Sequence, residues 1–180
     1  MKRPRNKVLL MAFVLTAFAL SANAQGSVIK LNIFSPIVST FNVQYEKTTK
    51  ADQSFQLGFF YSGYSSSDTK FNGFGITPEY RFYLSDTDAP QGVYMAPFLR
   101  YQSFNASNAS TNTKGSLTSF GGGVILGKQW IFKEHISLDI FIGPSYYSSN
   151  VKIESGSPTI DATPFDGFTV RAGVCFGYAF

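Results

Sequence analysis

The sequence predicts an all-β fold, an eight-stranded antiparallel up-and-down β-barrel, and three observations lead to this class. Segments with a period of two recur along the chain, the joining segments alternate in length, and aromatic residues cluster at strand ends. The clearest segment is 167–180, where large apolar side chains at even positions alternate with small or polar ones at odd positions. Such alternation is typical of a β-strand with two unlike faces.

The same alternation recurs along the rest of the chain. The predicted strands span residues 28–34, 39–47, 54–64, 73–84, 93–104, 117–130, 135–146 and 167–180. Most reach the roughly 9–11 residues that a tilted strand needs to cross a bilayer, although the first is shorter. Five large apolar residues interrupt the polar face: Phe34, Phe60, Phe98, Ile125 and Phe141.

The joining segments alternate between compact and long. Those after the second, fourth and sixth strands are compact: 48–53, 85–92 and 131–134. Those after the third, fifth and seventh strands are longer and rich in Ser, Asn, Thr and Gly: 65–72, 105–116 and 147–166. The first of the outer loops, about 35–37, is the short exception. Short turns at one end and long loops at the other predict an outer-membrane barrel with both termini on the periplasmic side.

Aromatic residues fall near both ends of the predicted strands. One group would lie near the periplasmic ends: Tyr45, Tyr80, Phe82, Trp130, Tyr178 and Phe180. The other would lie near the outer ends: Tyr61, Phe74, Tyr101, Tyr146 and Phe168. Two aromatic rings around an aliphatic band are expected where a barrel meets the two membrane interfaces.

The composition of the polar face indicates which face meets lipid. It is mostly Gly, Ser, Thr, Asn and Gln, with one or two charges per strand at most, whereas a water-facing surface would carry many more charges. The sequence therefore favours a transmembrane barrel whose polar side chains fill the lumen. The alternative is a secreted or periplasmic lipocalin-like ligand-binding barrel, with the apolar face lining a pocket.

The polar face carries a small set of charged residues that we expect to form a lumen charge network. Its members are Lys30, Glu46, Glu79, Arg81, Arg100, Asp139 and Arg171. Unpaired charges in a narrow interior are costly, so these side chains should pair or meet trapped water. A second reading is a small gated pore in which they line a path for protons or ions. An acid–base pair of Glu79 and Asp139 is a third, although carboxylates among cations should stay ionised.

The N-terminus has the pattern of a secretory signal. Four basic residues precede the apolar stretch 8–20, and the small-x-small triplet 22–24 predicts cleavage after Ala24. The alternative is an uncleaved N-terminal anchor.

The predicted organisation is a signal peptide, 1–24, and one barrel domain, 25–180. Four of the fifteen Lys and Arg residues precede residue 25, leaving eleven against eleven Asp and Glu, so the basic pI indicates no nucleic-acid partner.

Residue types that carry catalysis are scarce. His135 is the only histidine and Cys175 the only cysteine, so we predict no catalytic residue, no metal site and no cofactor. A lipid-modifying enzyme remains an alternative, and it would have to use His135. Cys175 is expected to be a small filler inside the barrel, and the run Gly121–Gly123 a close-packing or bending feature of its wall.

Three stretches carry a resemblance to a known family: Gly75–Tyr83 (GITPEYRFY), Ala96–Tyr101 (APFLRY) and Ile142–Pro144 (IGP). With the features above, the chain resembles the small eight-stranded outer-membrane β-barrels of Gram-negative bacteria, nearest to an uncharacterised barrel family of Bacteroidetes. The resemblance implies insertion by the outer-membrane assembly machinery, which reads the C-terminal strand, here Phe176, Tyr178 and Phe180. It transfers no catalytic residue.

The expected function is accordingly structural or surface-binding. The expected partners are outer-membrane lipid, the assembly machinery during biogenesis, and a surface ligand held by loops 105–116 and 147–166. The barrel is expected to be a monomer. Integral outer-membrane localisation after export would follow from the signal and the barrel together.

Overall fold

The computed structural model describes residues 26–66, 68–156 and 166–180, and within these residues eight strands close into a barrel. The strands are β1 (Ser27–Asn32), β2 (Thr40–Lys50), β3 (Gln53–Ser65), β4 (Thr69–Tyr83), β5 (Gly92–Asn108), β6 (Thr113–Phe132), β7 (Ile136–Ser155) and β8 (Gly167–Ala179). Each pairs antiparallel with its neighbours in sequence, and β1 pairs with β8. The predicted antiparallel up-and-down barrel is confirmed.

The barrel has two unlike ends. At the terminal end, the start of β1 meets the end of β8: the amide of Ser27 donates to the carbonyl of Phe180 at 3.0 Å, and the amide of Phe180 donates back at 2.9 Å. At the opposite end, called the loop end here, the 3₁₀ helix Ser35–Val38 joins β1 to β2. In the described part of the chain, no helix is long and apolar enough to cross a membrane. The predicted signal 1–24, with its cleavage after Ala24, lies outside the described residues.

The predicted outer loops are largely wrong, because the strands run further than the sequence pattern suggests. β5 ends at Asn108 and β6 begins at Thr113, so only 109–112 of the predicted loop 105–116 joins them. β7 continues to Ser155, which places the first part of the predicted loop 147–166 in the sheet. Hydrogen bonding between strands satisfies the backbone polar groups even where the side chains on both faces are polar. The strands therefore continue past the segments in which hydrophobic and polar residues alternate.

Among the connections that the structure describes in full, loop length therefore does not separate the two ends of the barrel as predicted. Three positions separate β3 from β4 at the loop end, whereas eight, 84–91, separate β4 from β5 at the terminal end. Of the connection between β7 and β8, residues 157–165 lie outside the described part. The loop end differs instead because β5, β6 and β7 extend well past the aromatic residues at that end.

The wall has a polar inner face and an apolar outer face. The buried inner side chains include those of Gln44, Gln56, Gln102, Gln129 and most of the predicted charges. The outer face exposes large apolar side chains, among them Leu57, Ile76, Leu99, Leu126 and Ile142. The aromatic face thus lies outside, the reverse of what a ligand-binding barrel with an aromatic pocket requires.

The apolar residues that interrupt the polar face have two different locations. Phe60, Phe98, Ile125 and Phe141 are buried in the lumen, whereas Phe34 follows β1 and is exposed. Glycines on the wall make room for inner rings: a Cβ at Gly75 would overlap the ring of Phe60. Since glycine has no Cβ, a narrow barrel can accommodate large side chains opposite it.

Aromatic side chains border the outer apolar face at both ends. At the loop end, the rings of Phe74 and Tyr101 lie 6.3 Å apart and those of Tyr146 and Phe168 lie 5.0 Å apart. At the terminal end, Tyr80 and Phe82 lie 5.1 Å apart. The first two pairs join neighbouring strands, and the third joins alternate positions of β4. Together they form part of an aromatic ring at each end of the barrel.

Candidate functional site

The candidate site is the lumen, where six of the seven predicted charged residues meet. Lys30 comes from β1, Glu46 from β2, Glu79 and Arg81 from β4, Asp139 from β7 and Arg171 from β8. Each occupies an inward position of its strand, because side chains alternate between the two faces of the wall. We call this group the ionic cluster: Lys30, Glu46, Glu79, Arg81, Asp139 and Arg171.

Lys30 lies at the terminal-end side of the ionic cluster with all of its side chain buried. Its Nζ donates to Glu46 Oε2 at 2.6 Å, to Gln129 Oε1 at 2.6 Å and to Asp139 Oδ2 at 3.0 Å. An ammonium group has three donors, so these three bonds use its full capacity. A buried lysine is thereby balanced by two carboxylates and an amide.

Arg81 connects all three carboxylates of the cluster. Its Nε donates to Glu79 Oε1 at 2.7 Å, its Nη1 lies 3.3 Å from Glu46 Oε2, and its Nη2 lies 2.9 Å from Asp139 Oδ2. The guanidinium carbon also lies 4.1 Å from the centre of the Tyr94 ring. The planar fork of arginine suits this arrangement, since it presents five donors in fixed directions.

Arg171 extends the cluster towards the loop end. Its Nη1 donates to Glu79 Oε2 at 2.8 Å, so Glu79 is shared between Arg81 and Arg171. The guanidinium carbon lies 4.4 Å from the ring centre of Phe98 and 4.8 Å from that of Phe141. Two of the aromatic residues that interrupt the polar face therefore serve as packing surfaces for a buried cation.

Arg100 does not join the ionic cluster. Its Nε donates to Thr77 Oγ1 at 3.0 Å, and its guanidinium carbon lies 5.7 Å from the ring centre of Phe60. Among the described residues, no carboxylate forms an ion pair with it. The expectation that all seven charges form one network therefore differs from the structure. The reason is that Glu79, on the neighbouring strand, directs its carboxylate to Arg81 and Arg171 instead.

Several neutral side chains complete the cluster, and no motif in the sequence singles them out. Tyr83 and Ser54 donate to Glu46 Oε1 at 2.6 and 2.5 Å, and Tyr94 donates to Asp139 Oδ1 at 2.7 Å. The only signal in the sequence is their inward position next to a charged residue on the same or a neighbouring strand. Their hydroxyl groups satisfy carboxylate lone pairs that the cations leave open.

The geometry makes the ionic cluster a plug that ties strands together. Its ion pairs join β1, β2, β4, β7 and β8 across the lumen. Breaking a buried pair by removing one partner costs about 3–5 kcal/mol, since the remaining charge is uncompensated. Glu79 and Asp139 both pair with Arg81, so the two carboxylates share one guanidinium as their ion-pair partner.

The other singled-out residues lie in the wall or at the terminal end. Phe176 and Tyr178 point outwards and are about half-exposed, and the ring of Tyr178 stacks on His135 at 5.2 Å between centres. Cys175 is buried and accepts from Gln44 Nε2 at 3.3 Å. Within Gly121–Gly123, a Cβ at Gly123 would overlap the carbonyl oxygen of Pro144 on β7.

Comparisons with known proteins identify a family. The family model described as "Protein of unknown function (DUF3575)" matches residues 9–155. No curated protein matches the chain. The family match does not bear on lineage, so the resemblance to barrels of Bacteroidetes stays a prediction.

Two solved structures are distantly similar to the chain. The N-terminal β-barrel domain of Pseudomonas aeruginosa OprF aligns with a TM-score of 0.44 and 15% identity, over 88% of this chain and 100% of that one. A major outer membrane protein from Thermus thermophilus aligns with a TM-score of 0.49 and 15% identity, over 86% of this chain and 98% of that one.

Proposed function

The chain belongs to the DUF3575 family, and we propose that this member is an integral outer-membrane β-barrel protein. Its lumen is filled by side chains, it catalyses no reaction, and it acts structurally or by binding partners at its loop end. The single observation that carries this proposal is the polarity of the wall. Apolar side chains cover the outside, and an ionic cluster occupies the inside.

The height of the outer apolar face matches a membrane. Phe168 and Tyr178, one from each aromatic group, are ten residues apart on β8. At about 3.3 Å per residue and a strand tilt of about 40°, they differ in height by about 25 Å, which is the height of the apolar band of outer-membrane barrels. A closed barrel also leaves no unpaired strand edge in lipid, because β1 pairs with β8.

The ionic cluster supports a closed lumen over a gated pore. Eight strands enclose an interior that side chains can fill, and here buried ion pairs cross it.

The surroundings of His135 favour a structural role over catalysis. Its ring stacks on Tyr178 at the terminal end, and its Nδ1 lies 3.3 Å from the carbonyl oxygen of Ala179.

Partner binding would use the parts of β5, β6 and β7 that extend past the loop-end aromatics. These parts pair with one another, as in Asn105 with Ser116 and Leu117 with Val151. Val151 and Ile153 are exposed there, 37% and 58%, beside the charged Lys152 and Glu154. An exposed apolar pair on a paired, largely polar sheet suits contact with a protein on the cell exterior.

Gel mobility of the outer-membrane fraction, unboiled against boiled, tests the membrane barrel. We expect the protein in this fraction, with a faster unboiled band, because a closed barrel resists detergent and stays compact. A soluble product whose mobility does not change on heating would refute the proposal.

Epitope insertions test the orientation separately. A tag inserted after Ser110 at the loop end should be labelled on intact cells, and a tag inserted after Thr87 at the terminal end only after permeabilisation. The reverse pattern would mean that the loop end faces the periplasm, and partner binding at the cell exterior would then be abandoned.

A further inference from the structure

A polar cavity lies on the loop-end side of the ionic cluster. Its volume is about 290 Å³, and its lining includes Arg100, Arg171, Gln44, Gln102, Asn42 and Tyr147. None of the residues that line it carries a carboxylate. By the same measure one water needs roughly 10–15 Å³, so the cavity has room for a small hydrated ligand.

The lumen has more positive than negative charge, and the excess lies at this cavity. The predicted network contains four cations and three anions. All three carboxylates are engaged with Lys30, Arg81 and Arg171. Arg100 has only the neutral hydroxyl of Thr77 and a hydrogen bond with Tyr147 as polar partners among the described side chains. Arg100 is only partly buried, but a cation in the lumen without a counter-charge still loses hydration, so this position would gain from an anion.

The cavity also holds hydrogen-bonding capacity that the protein does not use. Arg171 is 8% exposed, and its Nε is buried without a hydrogen-bond partner, although its Nη1 is bound to Glu79. Buried polar atoms in proteins nearly always have a partner. The unpaired Nε of Arg171 and the guanidinium of Arg100, which has no ion pair among the described residues, are the two features of this cavity that favour a bound anion.

We propose that this cavity binds a small oxyanion, a phosphate or carboxylate group, between the guanidinium groups of Arg100 and Arg171. Guanidinium groups match the two-oxygen geometry of both anions, and the amide of Gln102 also lines the cavity and can supply a neutral donor. The ionic cluster lies on the terminal-end side of the cavity and blocks the lumen there, so the anion is held and not conducted. The proposal depends on the lumen geometry alone, and it would survive if the membrane assignment failed.

Calorimetric titration of the detergent-solubilised, refolded protein tests the site. The probes are inorganic phosphate, acetate and a water-soluble short-chain phosphatidic acid, each against chloride at equal ionic strength. We expect the wild-type protein to bind at least one of the three oxyanion probes more tightly than chloride. Binding of inorganic phosphate would indicate a free anion, and binding of phosphatidic acid alone would indicate a lipid headgroup.

The variants Arg100→Gln and Arg100→Lys test the residue that carries the proposal. Arg100→Gln should weaken the binding about tenfold or more, and Arg100→Lys should retain part of it, because lysine keeps the charge but not the fork. The matched control is Lys152→Gln, which removes an equal charge from an exposed position. Unchanged affinity in Arg100→Gln, or equal losses in both Gln variants, would overturn the proposal.

A measurement on the wild-type protein covers the case in which Arg100→Gln fails to fold. In protein labelled with ¹⁵N arginine, phosphate should shift the Nε–H signals of Arg100 and Arg171, while that of Arg81, which is bound to Glu79, should move less. If none of the oxyanion probes shifts the signals of Arg100 and Arg171 beyond the effect of chloride, the cavity is not an oxyanion site.

Discussion

Lys30 on β1 and Asp139 on β7 form a buried ion pair of 3.0 Å across 109 residues of sequence. β8 lies between these two strands in the wall, so the pair bridges strands that share no backbone hydrogen bonds. The same Nζ binds Glu46 on β2, and Lys30 therefore links three parts of the wall from inside. The lumen of this barrel is a structural core built from charges.

Replacing Lys30 by methionine should destabilise the barrel strongly. Glu46 and Asp139 would lose a buried cation, and the unfolding free energy should fall by about 3–5 kcal/mol. Urea unfolding in lipid vesicles, followed by the fluorescence of Trp130, the only tryptophan, measures this. The control Lys152→Met removes an exposed lysine and should change stability little.

A double variant separates lost charge balance from lost packing. Lys30→Met combined with Asp139→Asn removes one cation and one anion, so it should recover part of the stability that Lys30→Met loses. If the second change adds a further loss of the same size, the ion pair is not the source of the effect.

An arginine in the middle of the outer face should disrupt insertion. Leu126 is 56% exposed on β6 between the two aromatic groups, where lipid would surround it. Leu126→Arg should lower the unfolding free energy in vesicles by about 2–4 kcal/mol, because a charge at the bilayer midplane is poorly solvated. Ser148→Arg, an exposed position past Tyr146 on the loop-end side, serves as the control. Equal effects of the two substitutions would argue against lipid around Leu126.

A methyl group at Gly123 should disturb the contact between β6 and β7. A Cβ there would overlap the carbonyl oxygen of Pro144, and backbone cannot move aside as a side chain can. We expect Gly123→Ala to lose about 1–3 kcal/mol of stability, as overpacked interiors do. Gly58→Ala is the matched control, because its Cβ would meet Gln44 and Thr77 at an ordinary 3.6 Å. The unfolding free energies of the two variants are compared by urea unfolding in lipid vesicles, and equal values would contradict the prediction.

Phe180 makes two separable kinds of contact at the terminal end, and we predict that both contribute to assembly. Its backbone closes the seam with Ser27, and its ring lies 6.4 Å from that of Tyr178. Deleting Phe180 should impair membrane assembly without altering export, whereas Phe180→Ala keeps the two backbone hydrogen bonds and should assemble better. Pulse-chase with the heat-shift gel measures the rate of assembly. Normal insertion of the deletion variant would show that neither contribution is needed.

The sequence alone determined the fold class and the orientation of side chains in the wall. A period of two assigns each residue to one of two faces, and small polar residues on one face distinguish an interior from a water-facing surface. The positions of Lys30, Glu46, Arg81 and Asp139 on the inner face follow from this local rule. The ends of the strands could not be predicted from this rule. Residues such as Asn105 and Lys152 pair through their backbones, and hydropathy does not report backbone pairing.

Only the tertiary structure decided which charges meet. Pairing depends on strand register and on how far each side chain reaches across the lumen, and neither is encoded in local alternation. Closure of the barrel brings Arg81 within reach of Glu46, Glu79 and Asp139 and leaves Arg100 without a carboxylate beside an open cavity. The same seven residues therefore divide into a neutralised plug and a positively charged cavity because the closed barrel sets the distances between its strands.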